Sequence, residues 1–142
     1  MKSKSASRAG LFEDLGRLTL RVGFGVLIMF HGVYKVRNGV GAIQASLLAE
    51  GLPPVLAYGV YMGELVAPSL IILGAFTRPA AMVLALTMLT AMYLMYADQF
   101  GALTGRGGWG VELPAVYLLA AIAIALLGPG RFSVGKRGGL LN

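Results

Sequence analysis

Hydrophobic residues along this chain fall into four long runs, separated by short segments rich in polar residues, proline or glycine. The runs cover residues 15–34, 55–76, 79–96 and 111–127. Each has about 17 to 22 residues, a length that suits a helix crossing the roughly 30 Å hydrocarbon layer of a membrane. The strict alternation expected of a membrane barrel is absent. We therefore predict an all-α integral membrane protein, a four-helix bundle in which residues 1–142 form one domain.

The loop between the first two runs, residues 37–53, has a pattern of its own. Apolar side chains recur there at helical spacing, at Val40, Ile43, Leu47 and Leu48. Gly51 follows as a helix stop, and Pro53 comes just beyond it. We predict a short amphipathic helix in this first external loop, lying at the outer surface of the membrane.

The composition is also typical of a membrane protein. Of the 142 residues, 57% are hydrophobic and 13% are charged, and the mean hydropathy is +0.76. Soluble domains carry about 25% charged residues, so this chain has too few to cover a water-exposed surface. Length and composition together exclude a soluble multi-domain enzyme.

Basic residues are distributed unevenly between the two ends of the predicted bundle. With four spans both termini lie on one side, which then carries Lys2, Lys4, Arg8, Arg17, Arg78, Arg131, Lys136 and Arg137. The opposite side carries only Lys35, Arg37 and Arg106. Short loops rich in Lys and Arg stay in the cytoplasm, so we expect cytoplasmic termini in a multi-pass protein of a bacterial-type inner membrane. This topology accounts for the net charge of +6 without a nucleic-acid partner.

The first run has an alternative interpretation as a cleaved signal peptide, because Lys2, Lys4 and Arg8 precede it. The residues that follow its apolar centre, His31 to Lys35, offer no cleavage site made of small residues. We therefore expect the first helix to be retained in the membrane.

Two charged residues fall within the predicted hydrocarbon layer. A charge at the bilayer centre costs about 2.5 to 3.5 kcal/mol, so each needs a partner or a function. Arg21 lies roughly 10 Å into the first helix from one side, and Glu64 lies roughly 15 Å into the second from the other. We predict a buried Arg21–Glu64 ion pair. It either fixes helix packing alone or forms a functional site in which Glu64 accepts a proton or orients a ligand.

Polar and aromatic residues concentrate in the external half of the predicted bundle. His31 and Lys35 lie near the outer end of the first helix, and Glu112 opens the fourth. All the tyrosines fall in the same half, at Tyr34, Tyr58, Tyr61, Tyr93, Tyr96 and Tyr117. Membrane anchoring would place aromatic residues at both interfaces, so anchoring alone does not explain this asymmetry.

We predict an outer-facing cavity between the helices, with Arg21 and Glu64 at its floor. Its ligand-binding side chains are expected to be His31, Lys35, Tyr58, Tyr61, Tyr93, Tyr117 and Glu112. Aromatic walls with a few convergent polar groups suit a flat amphipathic ligand such as a quinone, or a lipid headgroup. His31 is either a helix-end histidine or a proton relay.

The residue types that are missing narrow the chemistry. The chain has no cysteine and a single histidine, His31, which excludes disulfides, iron–sulfur clusters, sulfur-ligated zinc and bis-histidine haem within one chain. The glycine-rich segment 105–110 matches the spacing of a dinucleotide loop, but it follows no strand, so we treat the match as chance. We predict no metal site and no covalent cofactor, and we assign no catalytic residue.

Six short motifs occur in order between residues 15 and 134: Leu20-Arg21-Val22-Gly23, Phe30-His31-Gly32-Val33-Tyr34-Lys35, Gly51-Leu52-Pro53, Gly63-Glu64, Leu73-Gly74-Ala75-Phe76-Thr77-Arg78-Pro79-Ala80-Ala81, and Gly128-Pro129-Gly130 followed by Ser133. Together they resemble the DoxX family of small four-helix membrane proteins. The family's motif positions fall here on Arg21, His31, Lys35, Glu64, Arg78 and Glu112. The chain departs from the family pattern at Tyr96-Ala97-Asp98, where many relatives carry a histidine, and this departure weakens a two-histidine proposal.

The resemblance implies a membrane subunit of an oxidoreductase system. The family is linked to thiosulfate:quinone oxidoreduction and to a membrane complex that couples superoxide detoxification to thiol or sulfur handling. With no cysteine and one histidine, this chain cannot hold electrons by itself. Any redox role must therefore pass through a bound quinone or a partner protein.

Our leading hypothesis is a membrane subunit, not catalytic alone, that binds a quinone or docks an oxidoreductase partner through the cavity. One alternative is a small-solute or proton transporter in which Glu64 is the coupling group. Another is a lipid-binding or assembly factor without turnover. We expect contact with membrane lipid in every case, and we leave self-association of the chain open.

Overall fold

The computed structural model describes residues 2–135, with side chains from residue 10 onward, and its regular elements are helical. The α-helices are α1 (Lys2–Asn38), α2 (Gly41–Ala49), α3 (Ala67–Leu73), α4 (Thr77–Tyr96) and α5 (Glu112–Leu127). Short 3-10 helices cover Pro54–Gly59 and Ala97–Gln99, and a π-helix covers Met62–Val66. The all-helical prediction is therefore confirmed for this part of the chain.

Three continuous helical segments are long and apolar enough to cross a membrane. They are Gly10–Asn38, Pro54–Leu73 and Thr77–Gln99, with 29, 20 and 23 residues. Helix α5 is apolar but shorter, with 16 residues. The length and hydropathy of these helices identify a multi-pass membrane protein. Helix α1 extends beyond the predicted span 15–34 at both ends, and this extension matters for the site described below.

The first loop contains the short helix that its apolar spacing predicts. Helix α2 ends at Ala49 and is followed, as expected, by Gly51, which has a φ of +71°. The N–H of Leu52 donates to the carbonyl of Leu47, and the N–H of Gly51 donates to that of Leu48, the two bonds of a Schellman cap. Leu47 is buried while Leu48 is 61% exposed. The helix therefore has one apolar face packed against the protein and another turned outward.

The four apolar segments pack in a cyclic order. Helix α1 contacts α3 and α5, and helix α4 contacts the same two. Their shared core consists of Ile28, Ala67, Ile71, Ala80, Ala81, Leu84, Met88, Tyr117, Ala121 and Ile124. Alanines are frequent in this core because, without a hydrophobic driving force in lipid, helices associate through close van der Waals packing.

Two glycines of α1 allow the segment Pro54–Leu73 to approach closely. A Cβ at Gly25 would lie 2.6 Å from the Ile72 side chain, and one at Gly32 would lie 2.5 Å from the backbone oxygen of Glu64. Neither position has room for a larger residue. The motif containing Gly32 therefore has a packing role, and that role brings the end of α1 against Glu64.

The segment after α5 packs against the first part of α1 and against the end of α3. The N–H groups of Val134 and Gly135 donate to the carbonyls of Leu73 and Gly74. At the same end, the carboxylate of Asp14, which is 4% exposed, accepts a hydrogen bond from the N–H of Arg131. Residues 128–135 thus join α1 to the turn between α3 and α4.

Five of the basic residues predicted for the cytoplasmic side lie outside the described part of the structure. They are Lys136 and Arg137, and the side chains of Lys2, Lys4 and Arg8.

We expect Gly32→Ala to lower the free energy of unfolding by roughly 1–3 kcal/mol, because the added methyl group collides with backbone that cannot rotate away. Gly23→Ala is the matched control on the same helix, since a Cβ there meets nothing within 4 Å. It should be neutral or stabilising by up to about 1 kcal/mol. Chemical unfolding in mixed micelles, followed by circular dichroism, measures both. Equal effects of the two substitutions would contradict the close-packing account.

Candidate functional site

Glu64 lies at a break in the regular hydrogen bonding of Pro54–Leu73. The N–H of Ala67 donates to the carbonyl of Met62, five residues earlier, which is a π-helical bond. The next residue, Pro68, has no N–H and cannot donate to the carbonyl of Glu64 as an α-helix requires. The wider π-helical turn accommodates this missing bond. Such turns occur frequently at functional sites.

A buried ion pair joins Glu64 to Lys35, near the end of α1. The Lys35 Nζ lies 2.6 Å from Oε1 and 2.5 Å from Oε2 of Glu64. The Glu64 side chain is 5% exposed and the Lys35 side chain is 23% exposed. In a region with little water, each charge makes the other tolerable.

The Lys35 ammonium retains hydrogen-bonding capacity beyond this pair. An ammonium has three N–H donors, and two hydrogen bonds run from it to the Glu64 carboxylate. No other described residue accepts from it. The backbone at this point is also fixed, because the Tyr61 hydroxyl donates to the carbonyl of Lys35 over 3.2 Å. The site therefore combines a positioned lysine with one donor available to a ligand.

The predicted Arg21–Glu64 pair is wrong, because both residues are buried but have other partners. The guanidinium of Arg21 donates to the carbonyls of Ile71 (3.0 Å), Ile72 (3.4 Å) and Phe132 (2.5 Å). Ile71 and Ile72 are in the last turn of α3, where a positive charge is favourable. The Ile71 carbonyl also accepts from the N–H of Gly74. Arg21 thus caps a helix and holds the C-terminal segment.

The error came from the expected depths of the charges in the membrane. The prediction paired Glu64 with Arg21 because both were expected at a similar depth, and it placed Lys35 further out, near the outer end of the first helix. Because α1 continues to Asn38, Lys35 lies on the helix, about four turns or roughly 21 Å from Arg21. Glu64 therefore pairs with the cation at its own level.

A cavity of about 740 Å³ borders the Lys35–Glu64 pair. Its polar lining residues include Lys35, Glu64, His31 and Tyr117. Tyr117 is 5% exposed, and the ring of His31 meets it edge to face with centroids 5.9 Å apart. These four residues, which we call the polar end, come from α1, the π-helix and α5.

Apolar side chains form most of the remaining wall. Helix α2 and the following segment supply Ile43, Leu47, Leu52, Leu56 and Ala57, and α4 supplies residues between Val83 and Tyr96. Helix α2 lies across the loop end of the cavity, where Leu47 is 4% exposed. The exposed lining residues include Leu52, Leu56 and Leu113 as well as residues of α4. Sequence reasoning identified α2 but gave it no part in the cavity.

The other predicted site residues are divided between the cavity and its surroundings. Tyr93 lines the cavity, and its hydroxyl donates to the Glu50 carboxylate over 3.2 Å. Tyr58 and Tyr61 have rings 6.2 Å apart and are not among the residues that line the cavity. Glu112 is exposed, with its carboxylate beside Gly108.

Sequence reasoning missed Thr87 and Pro68. Thr87 lines the cavity and packs against Gly63 so closely that a Cβ on the glycine would overlap it. The signal for Pro68 was available, since a proline four residues after a buried Glu64 predicts a missing helical hydrogen bond. No sequence signal pointed to Thr87.

The polar end can bind and orient a molecule that accepts hydrogen bonds. Lys35 supplies a donor, and Glu64 and Tyr117 supply further polar groups beside it. Among the described residues, no three His, Asp or Glu side chains come together as a metal site.

A double-mutant cycle should reveal strong coupling between Lys35 and Glu64. We expect Lys35→Met or Glu64→Met alone to lower the free energy of unfolding by roughly 3–5 kcal/mol, because each leaves an unpaired buried charge. The double variant should lose at least about 1 kcal/mol less than the sum. The partly exposed Glu13–Arg17 pair, 4.0 Å apart, is the control. Its cycle should give a coupling below about 1 kcal/mol. Additive effects at Lys35 and Glu64 would show that the pair contributes nothing.

Arg21→Met should weaken the join between α1, α3 and the C-terminal segment. Loss of charge-assisted hydrogen bonds to buried carbonyls predicts a decrease of roughly 1.5–3 kcal/mol in the free energy of unfolding. Arg17→Met, at a half-buried position on the same helix, should change it far less. Proteolysis should cut near residue 131 faster in the Arg21 variant. Unchanged stability and cleavage in that variant would refute the capping role.

Comparisons with known proteins support one family. The sequence model of the DoxX family matches residues 16–97. A protein of Bacillus subtilis (strain 168), described as "Putative oxidoreductase CatD", is 30% identical over 115 residues, which cover 81% of each chain. No solved structure matches the chain. The matched region includes α1 from residue 16 onward, the Lys35–Glu64 pair and α4, and this protein belongs to the DoxX family.

Proposed function

We propose that this protein is an integral membrane subunit of a redox system and that its cavity binds a quinone. The observation that carries the proposal is the ammonium of Lys35, which borders the cavity with a donor left over after two bonds to Glu64. A quinone has carbonyl oxygens that accept such a bond. The description of the Bacillus relative as an oxidoreductase supports the redox assignment.

The dimensions and lining of the cavity fit such a ligand. Its volume of about 740 Å³ lies within the usual range for small-molecule sites, about 300–1,000 Å³. Most of its wall is apolar, and Lys35, Glu64, His31 and Tyr117 are among the polar residues that line it. A ring with carbonyl oxygens would place them at Lys35 and Tyr117 while its apolar faces contact the wall.

The chain's own residues would hold the ligand and supply protons. When bound, a quinone would provide the two-electron carrier chemistry that this cysteine-free chain lacks. Lys35 donates the orienting hydrogen bond, and Glu64 keeps the ammonium in place. His31, which is exposed and lines the same cavity, would pass protons to and from the bound ring. Electrons would come from a redox partner protein.

We also propose that α5 is the fourth span and that both termini face the cytoplasm. The 16 residues of α5 reach about 24 Å, so residues beyond its ends would complete the crossing. The described basic residues Arg17, Arg78 and Arg131 lie at the end where the segment 128–135 is docked. The positive-inside bias favours a cytoplasmic location for that end, in a bacterial-type inner membrane.

A second candidate function is proton or small-solute transport. It is favoured by the interruption of the segment Pro54–Leu73 at Glu64, because transporters often place ionisable residues at broken membrane helices. Flux through liposomes that depends on Glu64, in a protein without quinone affinity, would favour this candidate.

Purified protein should bind a tail-less benzoquinone, and Lys35 should carry much of the affinity. We expect the double variant Lys35→Met/Glu64→Gln, which leaves no unpaired charge, to bind about ten- to a hundredfold more weakly through loss of one charge-assisted hydrogen bond. Arg37→Met removes an exposed cation near the end of α1 and should bind as the unmodified protein does. Equilibrium dialysis gives the affinities, and circular dichroism checks folding.

The same proposal predicts that gently extracted protein retains quinone detectable by mass spectrometry. A preparation that lacks quinone and fails to bind the added ring would refute the function.

A further inference from the structure

The segment between α4 and α5 folds into a small hairpin, although it is rich in glycine. Within residues 100–110, Leu103 and Trp109 lie opposite each other in an antiparallel bridge. Two backbone hydrogen bonds flank this bridge, one donated by the N–H of Thr104 (2.7 Å) and one by the N–H of Gly110 (3.0 Å). In such a pair the two side chains are close together and project from the same face.

That face of the hairpin carries large apolar side chains. The ring of Phe100 meets that of Trp109 edge to face, with centroids 6.1 Å apart. The indole N–H of Trp109 donates to the Phe100 carbonyl over 2.7 Å. Leu103 is 75% exposed, Phe100 is 47% exposed and Trp109 is 41% exposed. We call these three side chains the hairpin face. Exposed apolar surface of this kind marks an interaction site.

The hairpin is located where the surface of the membrane is expected. It begins directly after the segment Thr77–Gln99, which is long and apolar enough to span a membrane. It ends at the start of α5, which packs along α4. The lipid-exposed part of the protein is therefore adjacent to the hairpin. Tryptophan is also enriched at this level of membrane proteins.

Two further features suit an environment of lipid headgroups. The N–H groups of Thr104, Gly107, Gly108 and Gly110 all donate to acceptors within the hairpin, as backbone must where water is scarce. The hairpin's only charged residue is Arg106, which is exposed at the turn. An arginine side chain can place its methylene groups among apolar neighbours and its guanidinium beside a phosphate.

From these contacts we infer that the hairpin binds the phospholipid leaflet at this end of the protein. The hairpin face inserts among the headgroups and upper acyl chains, about 5–10 Å deep as in other interfacial elements. Arg106 binds lipid phosphate. The hairpin thereby anchors the joined ends of α4 and α5 at the membrane surface. This binding is independent of the ligand in the cavity.

The fluorescence of Trp109 tests this insertion without a label, because it is the chain's only tryptophan. In nanodiscs, phospholipid brominated near the top of its acyl chain should quench Trp109 more strongly than phospholipid brominated near the chain end. Leu103→Glu places a charge on the hairpin face and should remove most of this quenching. Ala102→Glu is the matched control and should retain it, because successive side chains of an extended strand point to opposite faces. Circular dichroism checks folding.

A nitroxide label measures the depth of the hairpin directly. The chain has no cysteine, so Leu103→Cys and Ala102→Cys each provide a single attachment site. Electron paramagnetic resonance compares the accessibility of each label to oxygen, which dissolves in lipid, and to a water-soluble nickel chelate. The ratio of oxygen to nickel accessibility should be several-fold higher at position 103 than at position 102. Adding Arg106→Gln should lower the ratio at 103, because the phosphate contact is lost.

The cysteine variants leave the hairpin uncharged, so they test its depth even where a glutamate variant fails to fold. Equal ratios at positions 102 and 103, or quenching that a folded Leu103→Glu variant leaves unchanged, would overturn the inference. A label at 103 that is exposed to water in nanodiscs but shielded in native membranes would also overturn it, since the hairpin face would then bind a protein. A ratio at 103 that Arg106→Gln leaves unchanged would refute the role of Arg106.

Discussion

The ion pair between Lys35 and Glu64 is the constraint on which the candidate site depends. Both charges lie in segments with few polar neighbours, and each gives the other a favourable electrostatic environment there. Three local features bring them together: the continuation of α1 past residue 34, the close approach at Gly32 and the π-helix at Glu64. Formation of the Lys35–Glu64 pair therefore depends on the backbone conformation as well as on the two side chains.

Arg21 is also a buried charge, at the opposite end of the molecule, but backbone carbonyls stabilise it instead of a carboxylate. It has no carboxylate partner among the described side chains and uses carbonyls at the end of α3 and in the C-terminal segment. A guanidinium suits this role because its planar donors can reach several acceptors at once, whereas the single ammonium of Lys35 is compact. The two buried cations thus have separate tasks, one in joining helices and one in the cavity.

Much of the fold could be predicted from the sequence, because a helix that spans a membrane needs an apolar run of a characteristic length. Helix α2 followed from its apolar spacing and Gly51, and the burial of Arg21 and Glu64 from their position within those runs. The pairing of Lys35 with Glu64 could not be predicted, because it depends on where α1 ends and on how the segment Pro54–Leu73 is rotated about its axis. Likewise, Tyr58 and Tyr117 look equivalent in sequence, yet only Tyr117 lines the cavity, because helix rotation decides which side chain turns inward.

The proline at position 68 gives the segment around Glu64 a fixed register. An α-helix turns about 100° per residue. If the π-helical turn lost its extra residue, the part of the segment that precedes it would rotate about the helix axis by about that angle relative to α3. Glu64 would then face a different neighbour, and the carboxylate would leave the lysine. Because a proline ring cannot supply the amide proton that regular winding needs, the chain has no unstrained route to that straighter form. The covalent structure of Pro68 therefore determines the direction in which the Glu64 side chain points.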